Sequence, residues 1–379
     1  MTVAALPGGR RLRRIASVRE VDREAWNRLA GDNPLLGHTW LCVMESQWRE
    51  PVERSYLLLE EDGRLAAAAV CYVDASDAHS ESVDDLLFGR LGGVLSLRPA
   101  LVCGFPWGAG SSCIIDAEAD GPRRYDLAAQ LVDAVTAAAA REGRTAVFLS
   151  VAGSERTLRS CLSDRGYSGV RHEPVYALDV DWPDFEAYWR SLPSKNIRKN
   201  IRRELNKCRK QGVVIEVLDD PAECQEQLQR IVDRHFQRYG WREFPYRPGW
   251  FSALKQALGG DAVVTVARQQ GRPVGVAVSL RREGTRQMIL ACVDHEAEGG
   301  NLTHFNLAYY RGLEDCIEAG DRRYIVGPGQ HVSRRRRGFR AAESYLFCRP
   351  PGRLGRMLAG AWLRLLGAWL QRKRTATES

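Results

Sequence analysis

The sequence predicts a mixed α/β protein whose two halves share one plan. Apolar runs of strand length alternate with amphipathic runs at helical spacing, which is typical of mixed α/β domains. Gly-containing turns separate neighbouring strands, as expected for an antiparallel meander. The order of helices, antiparallel strands, a helix and a further strand occurs once on each side of mid-chain. The 379 residues have room for two domains of ordinary size.

The first half begins with a mainly helical region at residues 15–48, in which Trp26, Leu29 and Trp48 are apolar positions. Two strands follow, on either side of the turn at residues 61–63. The remaining elements are two strands around the loop at 101–115, an alanine-rich helix at 125–142, a strand at 146–151, a helix at 155–165 and a strand at 175–180.

The second half is predicted in the same way. Its elements are a basic helix at 195–210, a strand at 213–218, helices at 221–239 and 250–258, strands at 262–268, 273–281 and 286–293, a long helix at 302–319, strands at 323–326 and 343–348, and a C-terminal helix at 354–370. We expect an N-terminal domain at residues 1–180, a C-terminal domain at 181–350 that begins with the basic helix, and an amphipathic helix with a tail at 351–379.

The composition favours an anionic partner and a reducing compartment. The formal net charge is +8 and the isoelectric point is about 9.0. The ten cysteines form neither a CxxC pair nor a cluster with metal-ligand spacing, so we expect reduced core thiols and no metal. The N-terminus has no apolar signal segment, and no apolar run reaches membrane-spanning length. These features predict a cytoplasmic protein without stable membrane insertion.

The basic helix is the strongest single signal. Eight of the seventeen residues at 194–210 are Lys or Arg and only one is acidic. At helical spacing the cations occupy one face, while Ile197, Ile201 and Leu205 lie opposite. Ser194 suits the start of this helix and Gly212 its end. The pattern predicts a helix that packs on a core and binds a polyanion; a merely solvated face is the alternative.

The C-terminal helix has two interpretations. Apolar residues at helical spacing predict packing on its own domain. Alternatively, the helix contacts a membrane surface from the side, flanked by Arg372, Lys373 and Arg374.

Four stretches resemble a known family: Asn33–Leu36 with Trp40 and Glu45-Ser46, Leu192–Lys195 with Arg198–Glu204, the aromatic stretch Phe236–Phe251, and His304–Leu307 with Tyr309–Gly312 and Cys316-Ile317. Together with the element order, they resemble the Gcn5-related N-acetyltransferase (GNAT) superfamily, in its tandem FemABX-like acyltransferase form. The resemblance covers nearly the whole chain. It implies two acetyltransferase-like domains with mixed sheets, joined by the basic helix.

The resemblance has one departure. Acetyl-CoA users of this fold carry a glycine-rich loop that binds the pyrophosphate after their fourth strand. Here residues 294–301 contain three acids and different glycine spacing. The resemblance and the basic helix therefore imply transfer of an aminoacyl group from aminoacyl-tRNA to a small amine acceptor, either a natural-product (antibiotic) or a cell-wall precursor. We expect no cofactor, since the acyl donor is a co-substrate. The alternatives are an acyl-CoA-dependent N-acyltransferase and a non-catalytic tRNA- or membrane-binding protein.

Such a transfer requires an amine held near an activated carbonyl and a group that removes a proton. The candidate catalytic residues are His304, Asp294 and His331, although His304 could instead cap or pack its helix. The candidate substrate-binding residues are Trp107, His235, Tyr239, Tyr246 and Tyr310. A loop anchored on the core by its aromatic residues is the alternative for several of them. The candidate tRNA-binding residues are Lys195, Arg198, Lys199, Arg202, Arg203, Lys207, Arg335 and Arg336.

Overall fold

The computed structural model describes residues 2–6, 9–49, 52–75, 82–89, 95–104, 112–239, 244–297 and 300–378. The chain forms two compact units. Unit 1 comprises residues 1–30, 50–174 and 342–379, and unit 2 comprises residues 31–49 and 175–341. The predicted domains, 1–180, 181–350 and 351–379, are instead each continuous in sequence. The difference arises because the strand Ser344–Arg349 completes the sheet of unit 1, and because the helix His38–Gln47 packs on the helix Trp250–Leu258 in unit 2.

The helices and strands of the described residues are, in chain order, β1 (Thr2–Leu6), β2 (Arg10–Ile15), α1 (Arg23–Ala30), α2 (His38–Gln47), β3 (Arg54–Glu61), β4 (Arg64–Asp74), α3 (Val83–Phe88), β5 (Ala100–Cys103), β6 (Cys113–Ile115), α4 (Gly121–Arg141), β7 (Thr145–Ala152), α5 (Arg156–Asp164), β8 (Ser168–Arg171), β9 (Val175–Asp179), α6 (Phe185–Ser191), α7 (Lys195–Lys210), β10 (Val213–Val217), α8 (Gln225–Arg238), α9 (Trp250–Leu258), β11 (Ala262–Gln269), β12 (Arg272–Arg282), β13 (Thr285–Val293), α10 (Gly300–Phe305), α11 (Gly312–Glu318), β14 (Arg323–Gly327), α12 (His331–Arg336), β15 (Arg340–Ala342), β16 (Ser344–Arg349) and α13 (Arg353–Glu378). A π-helical segment, Asn306–Arg311, joins α10 to α11.

Unit 1 is built on a mixed sheet with the strand order β1-β2-β3-β4-β5-β7-β16-β8, and β6 pairs with β4. Its neighbours are antiparallel except for the parallel pair β5–β7. The alanine-rich helix α4 packs on β3 and β4. Residues 66–69 of β4 are all alanines and are almost fully buried. Their small side chains let α4 approach the sheet closely, and the close contact excludes water.

Unit 2 contains a second mixed sheet, with the order β10-β11-β12-β13-β14-β9-β15. The meander β10–β13 is antiparallel, and β13 pairs in parallel with β14. Its core contains Tyr176, Tyr188, Leu313 and Tyr324. The prediction of a mixed α/β fold with two mixed sheets is confirmed.

Helix α7 has the bounds that the sequence predicts. The Ser194 hydroxyl accepts a hydrogen bond from the Ile197 N–H (3.5 Å), which caps the helix start. Gly212, two residues past its end, has φ +68°, a conformation that glycine adopts without strain. Ile201 and Cys208 are buried, and the cationic face is directed outward.

The long helix predicted at 302–319 is interrupted by the π-helical segment. Tyr309 and Tyr310 both lie in the core, although Tyr310 is one of the candidate substrate-binding residues. The Tyr309 hydroxyl donates to Gln330 Oε1 (2.8 Å), and the Tyr310 hydroxyl bonds to Glu204. Burial of both rings is tolerated because both hydroxyls have partners.

All ten cysteines lie in the described part of the chain, where they are buried and form no disulfide. No helix in the described part of the chain is both long and apolar enough to cross a membrane.

Candidate active site

Three histidines from separate parts of unit 2 form a stacked group. His235 lies on α8, His295 follows β13, and His304 lies on α10. The His235 ring stacks on His295, with ring centroids 5.1 Å apart, and on His304, at 6.3 Å. Nδ1 of His235 is 3.2 Å from Nε2 of His295. We call His235, His295 and His304 the histidine cluster. It forms because α8 and α10 both pack on β13.

Burial keeps two members of the cluster uncharged. Burial, with repulsion from His295 and Arg238, lowers the pKa of His235 to about 4. Burial is also the main reason that the pKa of His304 falls to about 4. Both imidazoles are therefore neutral at neutral pH. A group with so low a pKa is a weak proton acceptor and releases a proton readily.

A chain of hydrogen bonds orients His304. The Arg334 Nε donates to the Tyr309 hydroxyl (3.3 Å), which in turn donates to Gln330 Oε1 (2.8 Å). The Gln330 amide nitrogen then faces Nε2 of His304 at 3.1 Å. An amide nitrogen can only donate, so Nε2 of His304 accepts, and the neutral ring carries its proton on Nδ1. Nε2 of His304 thus has a fixed direction.

Tyr239 forms the outer wall of the histidine cluster. Its ring centroid lies 4.9 Å from that of His235 and 5.7 Å from that of His295, and the side chain is 52% exposed. Aromatic faces attract cations, so this wall can hold an ammonium group before it loses its proton. Sequence reasoning named His235, Tyr239 and His304, and the fold brings the three together.

Asp294 and His331 have other contacts. The Asp294 carboxylate lies 3.4 Å from Arg234 Nη1 and accepts the Glu296 N–H at 3.0 Å, so it closes the turn after β13. His331 opens α12, and its Nδ1 is 3.1 Å from the Tyr176 hydroxyl. Neither side chain stacks with the histidine cluster. The residue before His331, Gln330, contacts the cluster through its hydrogen bond to His304.

Tyr246 and Tyr310 are core residues rather than exposed contacts. Tyr246 is fully buried, stacks on Trp250 at 4.7 Å and directs its hydroxyl at Met44 Sδ (2.9 Å). Tyr310 is 1% exposed. Direct contact with a substrate, which the sequence suggested for both, requires an exposure that neither side chain has. Trp107 lies outside the described residues.

The cationic face of α7 is exposed at Lys195, Lys199, Arg203 and Lys207. Two other predicted tRNA-binding residues are engaged locally. The Arg202 guanidinium lies 4.1 Å from the centre of the Trp189 ring and 3.6 Å from Glu186, and Arg198 reaches back to the Leu192 carbonyl. The remaining four form a column about 18 Å long, from the helical rise of 1.5 Å per residue.

A buried ion pair fastens α7 to the segment that carries His304. Glu204 accepts from Arg337 Nη2 at 2.7 Å and from the Tyr310 hydroxyl. The Arg337 guanidinium also lies 4.5 Å above the ring of Phe305, the neighbour of His304. Helix α7 packs directly on α10. The cationic column and the histidine cluster are therefore parts of one packed structure within unit 2.

The arginine run at 334–337 divides into two pairs. Arg335 and Arg336 are exposed, as tRNA binding requires, whereas Arg334 and Arg337 are 5% exposed. Arg334 lies on α12 and Arg337 directly follows its last residue; three residues apart, the two side chains lie on the same side of this turn. Arg334 donates to the Gly327 carbonyl at 2.7 Å. The second cationic run thus offers two exposed charges, not four.

Sequence reasoning did not single out His295, Gln330 or Glu204. His295 lies in the loop after β13, which the sequence distinguishes only by its acidic residues and its glycine spacing. Gln330 has φ +47° in a glycine-rich turn and gives no sequence signal. Glu204 is the only acid on α7, and that isolation was the one available hint of a specific ionic partner.

A family model named FemAB-like, described as peptidoglycan biosynthesis/recognition, matches residues 17–350. The chain belongs to the FemAB-like family. Three solved structures share the fold of this FemAB-like protein. The C-terminal domain of a protein assigned as a lysylphosphatidylglycerol synthetase, from Agrobacterium fabrum, is 15% identical, with a TM-score of 0.58 over 93% of this chain and 97% of that one.

L-PGS from Bacillus licheniformis is 13% identical, with a TM-score of 0.56 over 92% of this chain and 97% of that one. FemX is 11% identical, with a TM-score of 0.56 over 88% of this chain and 96% of that one. No protein with a curated description matches the sequence. The predictions of a FemABX-like member of the GNAT superfamily, of tandem acetyltransferase-like domains and of an acyltransferase are confirmed.

Proposed function

We propose that this FemAB-like acyltransferase moves an aminoacyl group from aminoacyl-tRNA to an amine acceptor and forms an amide bond. One observation carries the proposal: helix α7, which bears the exposed cationic column, packs directly on α10, which bears His304 of the histidine cluster. We place the reaction in the cytoplasm. The aminoacyl ester is already activated, so the proposal requires no cofactor.

The length of the cationic column favours tRNA over coenzyme A. Four exposed cations over about 18 Å can meet several successive backbone phosphates, whereas a pyrophosphate spans much less. Arg335 and Arg336 add two exposed charges in the same unit. In the loop after β13, Asp294 and Glu296 both face Arg234, at 3.4 and 3.7 Å. Two carboxylates at this position oppose the approach of a pyrophosphate.

In the proposed chemistry, the acceptor ammonium binds against Tyr239 and loses its first proton to solvent water. Its neutral nitrogen attacks the ester carbonyl, the N–C bond forms and the C–O bond to the tRNA ribose breaks. The amine's second proton passes to Nε2 of His304, which exchanges its hydrogen bond from Gln330 for one from the amine, and then to the leaving ribose oxygen, so atoms and charge balance. Because the pKa of His304 is about 4, the ring releases that proton readily.

The acceptor is proposed at the level of its chemical class. The family description refers to peptidoglycan, and one relative is named for a lysyl derivative of phosphatidylglycerol. An amine on a cell-wall precursor or on a natural-product (antibiotic) precursor fits the uncharged, aromatic wall of the site.

Binding to intact tRNA at several salt concentrations tests the proposal. Lys199, Arg203 and Lys207 are changed together to Glu, since they are exposed and, unlike Arg202, do not stack on Trp189. We expect weaker binding, and a log–log salt slope that is shallower by about 0.7–0.9 for each lost phosphate contact.

A matched control changes Arg23, Arg141 and Arg156, exposed cations of unit 1, to Glu. This control makes the same change in net charge and should leave the slope almost unaltered. An equal loss of tRNA affinity in both variants would show that net charge alone explains the effect. Unchanged tRNA binding in both would contradict the proposal. Loss of coenzyme A affinity without loss of tRNA affinity would favour the acyl-CoA enzyme.

A further inference from the structure

Helix α13 carries an apolar face that its own unit leaves uncovered. The covered face is well fixed: Ala359 and Leu363 are buried, and the Trp362 Nε1–H donates to the Leu87 carbonyl at 3.1 Å. At Gly360 a Cβ would lie only 3.1 Å from Ser168 Oγ, so this glycine allows close contact with β8. The helix is therefore packed on unit 1 through this face, which determines the face that it turns to solvent.

The opposite face is apolar and open to solvent. Leu354, Met357, Leu358, Leu365 and Trp369 are exposed by 69, 65, 63, 68 and 56%. At 100° per residue they span an arc of about 120°, and the stripe is about 22 Å long. These five are half of the ten large exposed hydrophobic residues in the described part of the chain. Apolar surface concentrated in this way marks a binding face.

The charges around this face select its partner. Residues 344–377 contain no Asp or Glu, whereas Arg353, Arg356, Arg364 and the run 372–374 are all basic. Arg353 and Arg364 lie within about 20° of each other, along one border of the apolar arc. A helix with an apolar face, a cationic border and a tryptophan near one end fits the interface of an anionic bilayer.

A second copy of the chain fits less well. A symmetric pairing through α13 would place the same arginines near one another, and the helix has no Asp or Glu before its last residue, Glu378, to neutralise them. An anionic lipid surface supplies that neutralisation through its headgroups. We propose that the exposed face of α13 docks the protein, without spanning, on the surface of an anionic membrane. This proposal does not depend on the identity of the acyl donor.

Co-flotation of the full-length protein with lipid vesicles tests the proposal. The vesicles are phosphatidylcholine alone, or phosphatidylcholine with a quarter of phosphatidylglycerol. We expect binding to the anionic vesicles and weaker binding to the neutral ones. L358S/L365S should lower the affinity for anionic vesicles at least tenfold, whereas L95S/V214S, which removes two exposed apolar side chains elsewhere, should not. R353E/R364E should lose most of the preference for anionic lipid.

Quenching by brominated lipid gives a second readout with a conservative change. Lipid brominated near the headgroups should quench part of the tryptophan fluorescence, and W369F should remove much of that quenched part. Failure of the parent protein to bind anionic vesicles would overturn the proposal, as would equal binding by L358S/L365S and L95S/V214S. A concentration-dependent dimer in sedimentation velocity that L358S/L365S abolishes would assign the face to a second copy instead.

Discussion

Removing the Glu204 side chain should destabilise unit 2 far more than a surface change. Its carboxylate is 16% exposed and the Arg337 guanidinium is 6% exposed, with 2.7 Å between the paired atoms. Without Glu204, the buried guanidinium keeps hydrogen bonds to the Tyr310 hydroxyl and the Ser333 carbonyl but has no counter-charge there. Breaking a buried pair in this way costs about 3–5 kcal/mol. We expect about 3 kcal/mol for Glu204→Ala, because water reaches part of the site.

Urea denaturation and thermal melting measure this loss. In a unit of 150–250 residues, about 3 kcal/mol corresponds to a fall of roughly 6–12 °C in the melting temperature. Glu186→Ala is the matched control. Glu186 is 45% exposed and pairs with Arg190 and Arg202, so its loss should cost at most about 1 kcal/mol. The double variant E204L/R337M removes both charges and should recover most of the stability. Equal effects of Glu204→Ala and Glu186→Ala would refute this reasoning.

Three further predictions concern the histidine cluster and the tyrosines. His304→Ala should lower turnover about 10²-fold if His304 accepts the proton; a change below about threefold in a folded variant would give that role to water. His235 and His304 have pKa values of about 4 when folded and 6.5 when unfolded, so the folded state binds fewer protons between these values. The free energy of unfolding should therefore fall as the pH drops from 6.5 towards 4, by up to about 1.4 kcal/mol per pH unit for each histidine, and H304N should flatten this dependence in urea titrations. Tyr246→Ala should cost about 3–5 kcal/mol of stability, whereas Tyr239→Ala should leave stability nearly unchanged and lower activity; the opposite pattern in paired melting and turnover measurements would contradict the site.

Local periodicity was sufficient for most elements. The bounds of α7 follow from its apolar spacing, Ser194 and Gly212, and α9 and β11–β13 lie within a residue of their predicted positions. Pairing between distant strands has no local signal. Strand β16 enters the first sheet between β7 and β8, and β9 enters the second beside β14. The division of the chain into units depends on these pairings, so it could not be read from sequence order.

The candidate site was predictable in its residue types but not in its contacts. His304, His235 and Tyr239 stood out as polar or aromatic residues near predicted loops. Tyr246 is also an aromatic residue in a predicted loop. It nevertheless packs against Trp250, because its loop is fixed to the core. Sequence spacing alone does not distinguish an exposed tyrosine from a buried one when both lie in an irregular segment.

The central claim is that the acyl donor is aminoacyl-tRNA, and one coupled assay tests it directly. Labelled amino acids, the synthetases and total tRNA are incubated with the protein and an extract of small amines and cell-wall precursors. We expect label to move from tRNA into an RNase-resistant amide product, and RNase added beforehand to abolish that transfer. A product that forms equally after RNase treatment, and that requires only an acyl-CoA, would contradict the account.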